Sequence, residues 1–238
     1  MARRARRRNP ITADDLSEYG SVSDGDVDVD RAARGLGASK TSVRQALRQA
    51  RKSLTNTVFQ RLSGRKDADS SKGDDVRGML QAAFGRGPRG GAVNAADAAK
   101  RLGVSPGTVR RWAAGTQQPA AQTLSRIRTA ARRASSTKRG RRNATKDFRT
   151  SVAGARALRT GSKLWISGQQ GVGGYSQGYA RDRRVAVDIN PDDVGALLAA
   201  YEENGDAGVR EWMKSFLDTN YVAGWDFVTI DDFGFGNP

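Results

Sequence analysis

A 17-residue pattern occurs twice in this chain, 66 positions apart. Residues 30–46 read DRAARGLGASKTSVRQA and residues 96–112 read ADAAKRLGVSPGTVRRW. Ala33 aligns with Ala99, Leu36 with Leu102, Gly37 with Gly103, Ser39 with Ser105, Val43 with Val109 and Arg44 with Arg110. The physics is clearest in the second copy. Asn94 is placed to cap a helix whose first turn holds Asp97. Ala98, Ala99 and Leu102 form its inner face, and Ala99 is small enough for a second helix to cross closely. Gly103 supplies a positive φ for a sharp turn, and Val104 plugs the corner. Ser105 then caps the second helix and Pro106 takes its first position. Val109 and Trp112 face inward at i, i+3 spacing. Ser105, Gly107, Thr108, Arg110 and Arg111 are left on the outer, N-terminal face.

In the first copy Asp30 caps, Gly37 turns, Ser39 caps again, and Val43, Ala46 and Leu47 face in. Ser39, Thr41, Arg44 and Arg48 fall on the exposed side. Ala46 stands where the second copy has Trp112, so this core is smaller. It is either a second reader or a degenerate packing partner. Around the second copy, Val76, Met79, Leu80 and Phe84 predict a preceding helix. Gly115 ends the outer helix, Pro119 starts another, and Leu124 and Ile127 pack back. Residues 74–133 resemble the repressor-type helical DNA-binding domains, with a W-x-x-G-x-x-x-P-x-x-x-T-L run over 112–124. The resemblance implies a helix-turn-helix whose outer face enters the major groove of double-stranded DNA. The alternative is a helical hairpin that only packs.

Charge agrees with a polyanionic partner. The chain carries 41 Lys+Arg against 25 Asp+Glu, a net +16, which bears on partners and not on fold. Residues 1–150 carry +20 and residues 151–238 carry −4. Arg3, Arg4, Arg6, Arg7 and Arg8 make a basic arm over 1–10 that is expected to track phosphates. Residues 134–151 are basic and nearly without large apolar side chains. They read as an interdomain linker in which Lys138, Arg139, Arg141 and Arg142 track phosphates, or as a merely solvated one. With no His and no Cys, imidazole and thiolate metal sites, disulfides, Ser-His-Asp and Cys-His catalysis are excluded. No apolar run approaches the roughly 18 residues of a membrane span, and MARRARRRNP leads into no apolar stretch. The expectation is a soluble, cytoplasmic, nucleoid-associated protein with no cofactor and no resident metal.

Beyond residue 160 the pattern changes. Residues 164–167 and RVAVDI at 184–189 read as strands. SGQQGVGGYSQGY, at 167–179, reads as a Gly-rich loop without the Lys and Ser/Thr of a phosphate loop. Asn190-Pro191 opens a helix that ends at Asn204-Gly205. A second helix follows over 206–220, and WDFVTI at 225–230 closes as a strand. The expected fold is a mainly α N-terminal half with tandem helix-turn-helix units, then a small β-β-α-α-β domain of the α+β class. The units are an arm at 1–10, a first unit at 11–62, a linker at 63–73, and the second unit at 74–133. A basic linker at 134–160 and the α+β domain at 161–238 complete them. Asp188, Asp226, Asp231 and Asp232 are candidate oxygen ligands, against the plainer reading of caps and solvated strand ends.

The order of these parts resembles the telomere terminal proteins of linear actinobacterial chromosomes and plasmids. AAKRLGVSPGTVRRWAAG, GYSQGYARDRRVAVDINPDDVGALL and GWDFVTIDDFGF carry the resemblance. It implies a protein that caps DNA ends and is not itself an enzyme. A side-chain hydroxyl is esterified to the first nucleotide by a partner DNA polymerase, with a telomere-associated protein as a further partner. Ser176, Tyr175 and Tyr179 are the candidate attachment residues. The rival reading is a transcriptional or plasmid-maintenance regulator whose C-terminal domain dimerises or senses a ligand. A homodimer stays open under both.

Overall fold

The computed structural model describes residues 10–65, 75–173 and 179–236. The protein is mostly helical, with a small sheet near its C-terminus. A capped turn of helix, α1 (Ala13–Ser17), is closed by Thr12 and Asp15 in a reciprocal capping box. Two short paired strands follow, β1 (Gly20–Ser21) and β2 (Asp26–Val27). Then come α2 (Val29–Gly35) and the long α3 (Lys40–Ser63). Asp28, not Asp30, caps α2, accepting from the amides of Asp30 and Arg31. Asp30 instead pairs with Lys40 at 2.9 Å.

α3 joins two cores. At 24 residues it is about 36 Å long. Its first turns bury Val43 against Leu16, Val22, Val27, Ala32 and Ala33. Its last turns bury Leu54, Val58, Phe59 and Leu62 in the main core, which runs on through the helical middle to the C-terminal sheet. The middle is α4 (Val76–Phe84), α5 (Ala95–Leu102), α6 (Pro106–Ala114) and α7 (Ala121–Ser136). The sheet's Leu164, Ile166 and Phe233 share this apolar cluster with Met79, Trp112 and Ile127.

The stretch expected to be a basic linker folds into two further helices, α8 (Lys138–Thr150) and α9 (Val152–Thr160). One extended residue separates each pair: Thr137 between α7 and α8, Ser151 between α8 and α9. Each side chain caps the following helix through the amide of a glycine three residues on, Gly140 or Gly154. Those glycines let the helices turn tightly. A Cβ on Gly140 would lie 1.9 Å from the Arg133 carbonyl oxygen, and one on Gly154 would lie 2.0 Å from that of Phe148. The inner faces bury Ala131, Ala134, Ala144 and Ala157 with Phe148. Small residues do the packing here, so the lack of large apolar residues did not mean an unstructured linker.

The sheet is antiparallel and centred on β3 (Ser162–Val172), paired along one edge with β4 (Arg181–Ile189). The other edge of β3 receives two short strands, β5 (Trp225–Phe227) and β6 (Asp232–Phe235). The single closing strand expected at 225–230 is therefore split, and β3 runs through much of the stretch expected to be a loop. Gly168 belongs to the strand because a Cβ there would lie 2.4 Å from the Thr229 carbonyl oxygen, where the chain crosses from β5 to β6. α10 (Pro191–Asn220) covers the sheet, burying Val194, Leu197, Leu198, Tyr201, Met213 and Leu217. It breaks at Gly205 (φ 68°, ψ −144°), so two helical halves are present as expected.

The break frees carbonyl groups in the preceding turn, and Arg141 of α8 takes them. Its Nε donates to the Glu202 carbonyl at 3.2 Å and its Nη2 to that of Glu203 at 2.6 Å. The side chain is only 8% exposed. Lys138 pairs with Glu203, and Arg142 lies 3.8 Å from the Glu202 carboxylate. Three of the four cations of this stretch expected to track phosphates thus face α10. Arg141→Met should lower the unfolding free energy by roughly 2 kcal/mol, since a buried guanidinium is lost and two part-buried carbonyls lose their charged donor. Urea denaturation measures it, and a loss within about 0.5 kcal/mol would mean the carbonyls find other donors.

Candidate nucleic-acid interface

The α5–α6 pair carries the outward basic face. Asn94 caps α5 through the Asp97 amide at 3.2 Å. Gly103 takes the left-handed conformation (φ 73°, ψ 37°) and turns the chain. Ser105 caps α6 through the Thr108 amide at 3.1 Å, with Pro106 in the first position. Val109 and Trp112 are buried, and Gly115 (φ 77°) ends the helix. These are the local roles expected from the sequence.

Ser105, Arg110 and Arg111 are exposed, while Gly107 and Thr108 are half-buried. Arg111 is tethered along its own helix: Nε donates to Gln117 Oε1 at 2.9 Å and Nη2 to Thr108 Oγ1 at 3.2 Å. The Arg110 side chain has no hydrogen bond or ion pair among the described residues. Arg126 of α7 locks the pair from behind. Its Nη1 donates to the Leu102 carbonyl and its Nη2 to that of Arg101, both at 3.0 Å, which closes the C-terminal end of α5.

The α2–α3 pair repeats the plan. Gly37 has φ 58° and Ser39 caps α3 through the Ser42 amide at 3.0 Å. Ser39, Thr41, Arg44 and Arg48 are all exposed. The helix then continues far beyond the equivalent of Gly115.

The remaining candidates separate. Arg3, Arg4, Arg6, Arg7, Arg8, Tyr175 and Ser176 lie outside the described residues. Tyr179, just before β4, is 60% exposed. The neighbouring cations are partly engaged: Arg183 lies 5.5 Å from the Trp225 ring centre and Arg184 lies 4.9 Å from that of Trp165. The four carboxylates do not converge. Asp226 pairs with Lys214 at 2.9 Å, Asp232 with Arg61, and Asp188 lies 3.7 Å from Lys163. Asp231 lines a small cleft against α3. Among the described residues no group of three acidic side chains is placed to hold a metal ion.

Sequence reasoning missed the C-capping arginines. Arg65, just after α3, is buried and pairs with Asp147 at 2.7 Å while donating to the carbonyls of Ala82, Ala83 and Asn143. Nothing local marks such a residue, because its acceptors lie on two other helices. Among the described residues no helix is long and apolar enough to cross a membrane. No family model matches the chain, and no curated protein or solved structure matches it either.

Proposed function

We propose that the protein binds double-stranded DNA in a sequence-dependent way, with α5 and α6 as a helix-turn-helix reader. The observation that carries this is the outer N-terminal face of α6, where Arg110 is exposed and without a partner among the described residues. A free guanidinium on such a face suits bidentate contact with guanine O6 and N7. Arg111, tethered to Thr108 and Gln117, suits a fixed backbone contact. Arg44 and Arg48 on α3 extend the same chemistry to a second reader.

Lys138 and Arg141 are set aside from this role, because Lys138 pairs with the Glu203 carboxylate and Arg141 is buried on the backbone carbonyls of Glu202 and Glu203, while Arg142 faces both carboxylates at longer range. The finer form of the proposal, an end-capping terminal protein primed through a hydroxyl, rests on the sequence resemblance. Of its three candidate residues only Tyr179 is described, and its exposure is compatible with attachment.

Two measurements test the proposal. Arg110→Ala should cost about 1–3 kcal/mol on the preferred duplex and much less on random duplex. Equal losses in the two binding isotherms would leave only phosphate contact. Removing residues 1–9, which hold five arginines, should flatten the dependence of log K on log salt by several units at roughly 0.9 per phosphate contact. An unchanged slope would exclude the arm from the interface.

A further inference from the structure

A groove of about 470 Å³ opens where the ends of α4 and α5, the α7 helix and the first turns of α8 meet. Arg65, Arg101, Arg126, Arg133 and Arg139 line it, and no Asp or Glu does. Three of these arginines are committed to the fold. Arg65 is buried on Asp147 and three carbonyls, Arg126 holds the end of α5, and Arg101 pairs with Asp97 at 3.1 Å. Arg133 and Arg139 are exposed, and neither side chain has a partner among the described residues. They stand on two different helices facing one hollow.

The groove is chemically two-sided. Leu102, Ala130 and Ala134 give it an apolar floor, and Thr129, Thr137 and Asn143 add neutral polar groups. Its volume lies within the range of small-molecule sites, roughly 300–1,000 Å³. Two unpaired guanidiniums with no competing carboxylate favour a phosphate group. The apolar floor favours a ligand with a body beyond the phosphate. Duplex DNA presents its phosphates on a convex ridge, which a hollow among four helices suits less well.

We infer that this groove binds a free phosphorylated small molecule of nucleotide size, with Arg133 and Arg139 holding its phosphates. This goes beyond DNA reading and does not depend on it. Leu102 in the groove wall directly precedes the Gly103 turn into α6, so an occupant touches the joint that sets the outer helix.

The experiment is isothermal titration of the full chain with ATP, and separately with pyrophosphate, without DNA at about 0.15 M salt. The wild-type chain should take up ATP saturably at one site. The Arg133→Gln/Arg139→Gln double variant should bind roughly tenfold or more weakly, as expected on losing two charged donors. Arg156→Gln/Arg159→Gln, on the exposed side of α9, should bind as the wild type does. Three outcomes would overturn the inference. One is no saturable uptake of ATP. Another is equal weakening in both double variants, which means general polyanion attraction. The last is no ATP binding while Arg133→Gln/Arg139→Gln weakens DNA binding, which assigns the groove to the DNA backbone.

Discussion

Carbonyl groups left over at helix ends are the constraint on which this structure turns. Each helix stops with up to four acceptors unsatisfied, and in a packed interior an unpaired acceptor is costly. Three ends, one in the interior and two at part-buried or exposed carbonyls, are closed by arginines from elsewhere in the chain. Arg65 closes α4, Arg126 closes α5, and Arg141 closes the first half of α10 at the Gly205 break. Each contact joins elements distant in sequence, so satisfying the helix ends also sets how the helices are arranged. A planar fork with five donors suits this work, where a lysine reaches fewer acceptors at once.

The basic front and the acidic back share one apolar cluster and a set of ion pairs. The surplus of positive charge before residue 150 is partly consumed on α10, where Glu202 and Glu203 receive Lys138, Arg142 and Arg149. Among the described residues, the exposed arginines at issue divide by place. Arg110 points outward from α6, Arg44 and Arg48 outward from α3, and Arg133 and Arg139 into the groove behind α5. Net charge alone does not distinguish an arginine that holds the fold from one that meets a partner.

The legible parts of the sequence were the local ones. Asn94, Gly103, Ser105, Pro106 and Gly115 announce the ends of α5 and α6 because caps and left-handed turns depend on near neighbours. The Gly205 break was legible for the same reason. α8 was not, because it packs through alanine and glycine and its basic residues find acidic partners some 60 positions away. A Thr or Ser with a glycine three residues later, as at Thr137 and Ser151, was the signal available there. β3 was hidden by its own glycines. Gly168 looks like loop until the crossing at Thr229, far along the chain, is known to press against it. Of the candidate sites, the α6 face was readable from helix spacing. The divided use of the arginines was not, since it is decided by tertiary contacts.

A helix α6 that reads bases meets the major-groove edges of its preferred site. Guanine methylation interference on a selected duplex tests it most directly, because N7 methylation blocks only the major-groove edge. A short cluster of guanines is expected whose N7 methylation abolishes binding, with one of them losing that effect in Arg110→Ala. Binding indifferent to N7 methylation throughout the preferred duplex would contradict it and leave a protein that holds DNA by its phosphates alone.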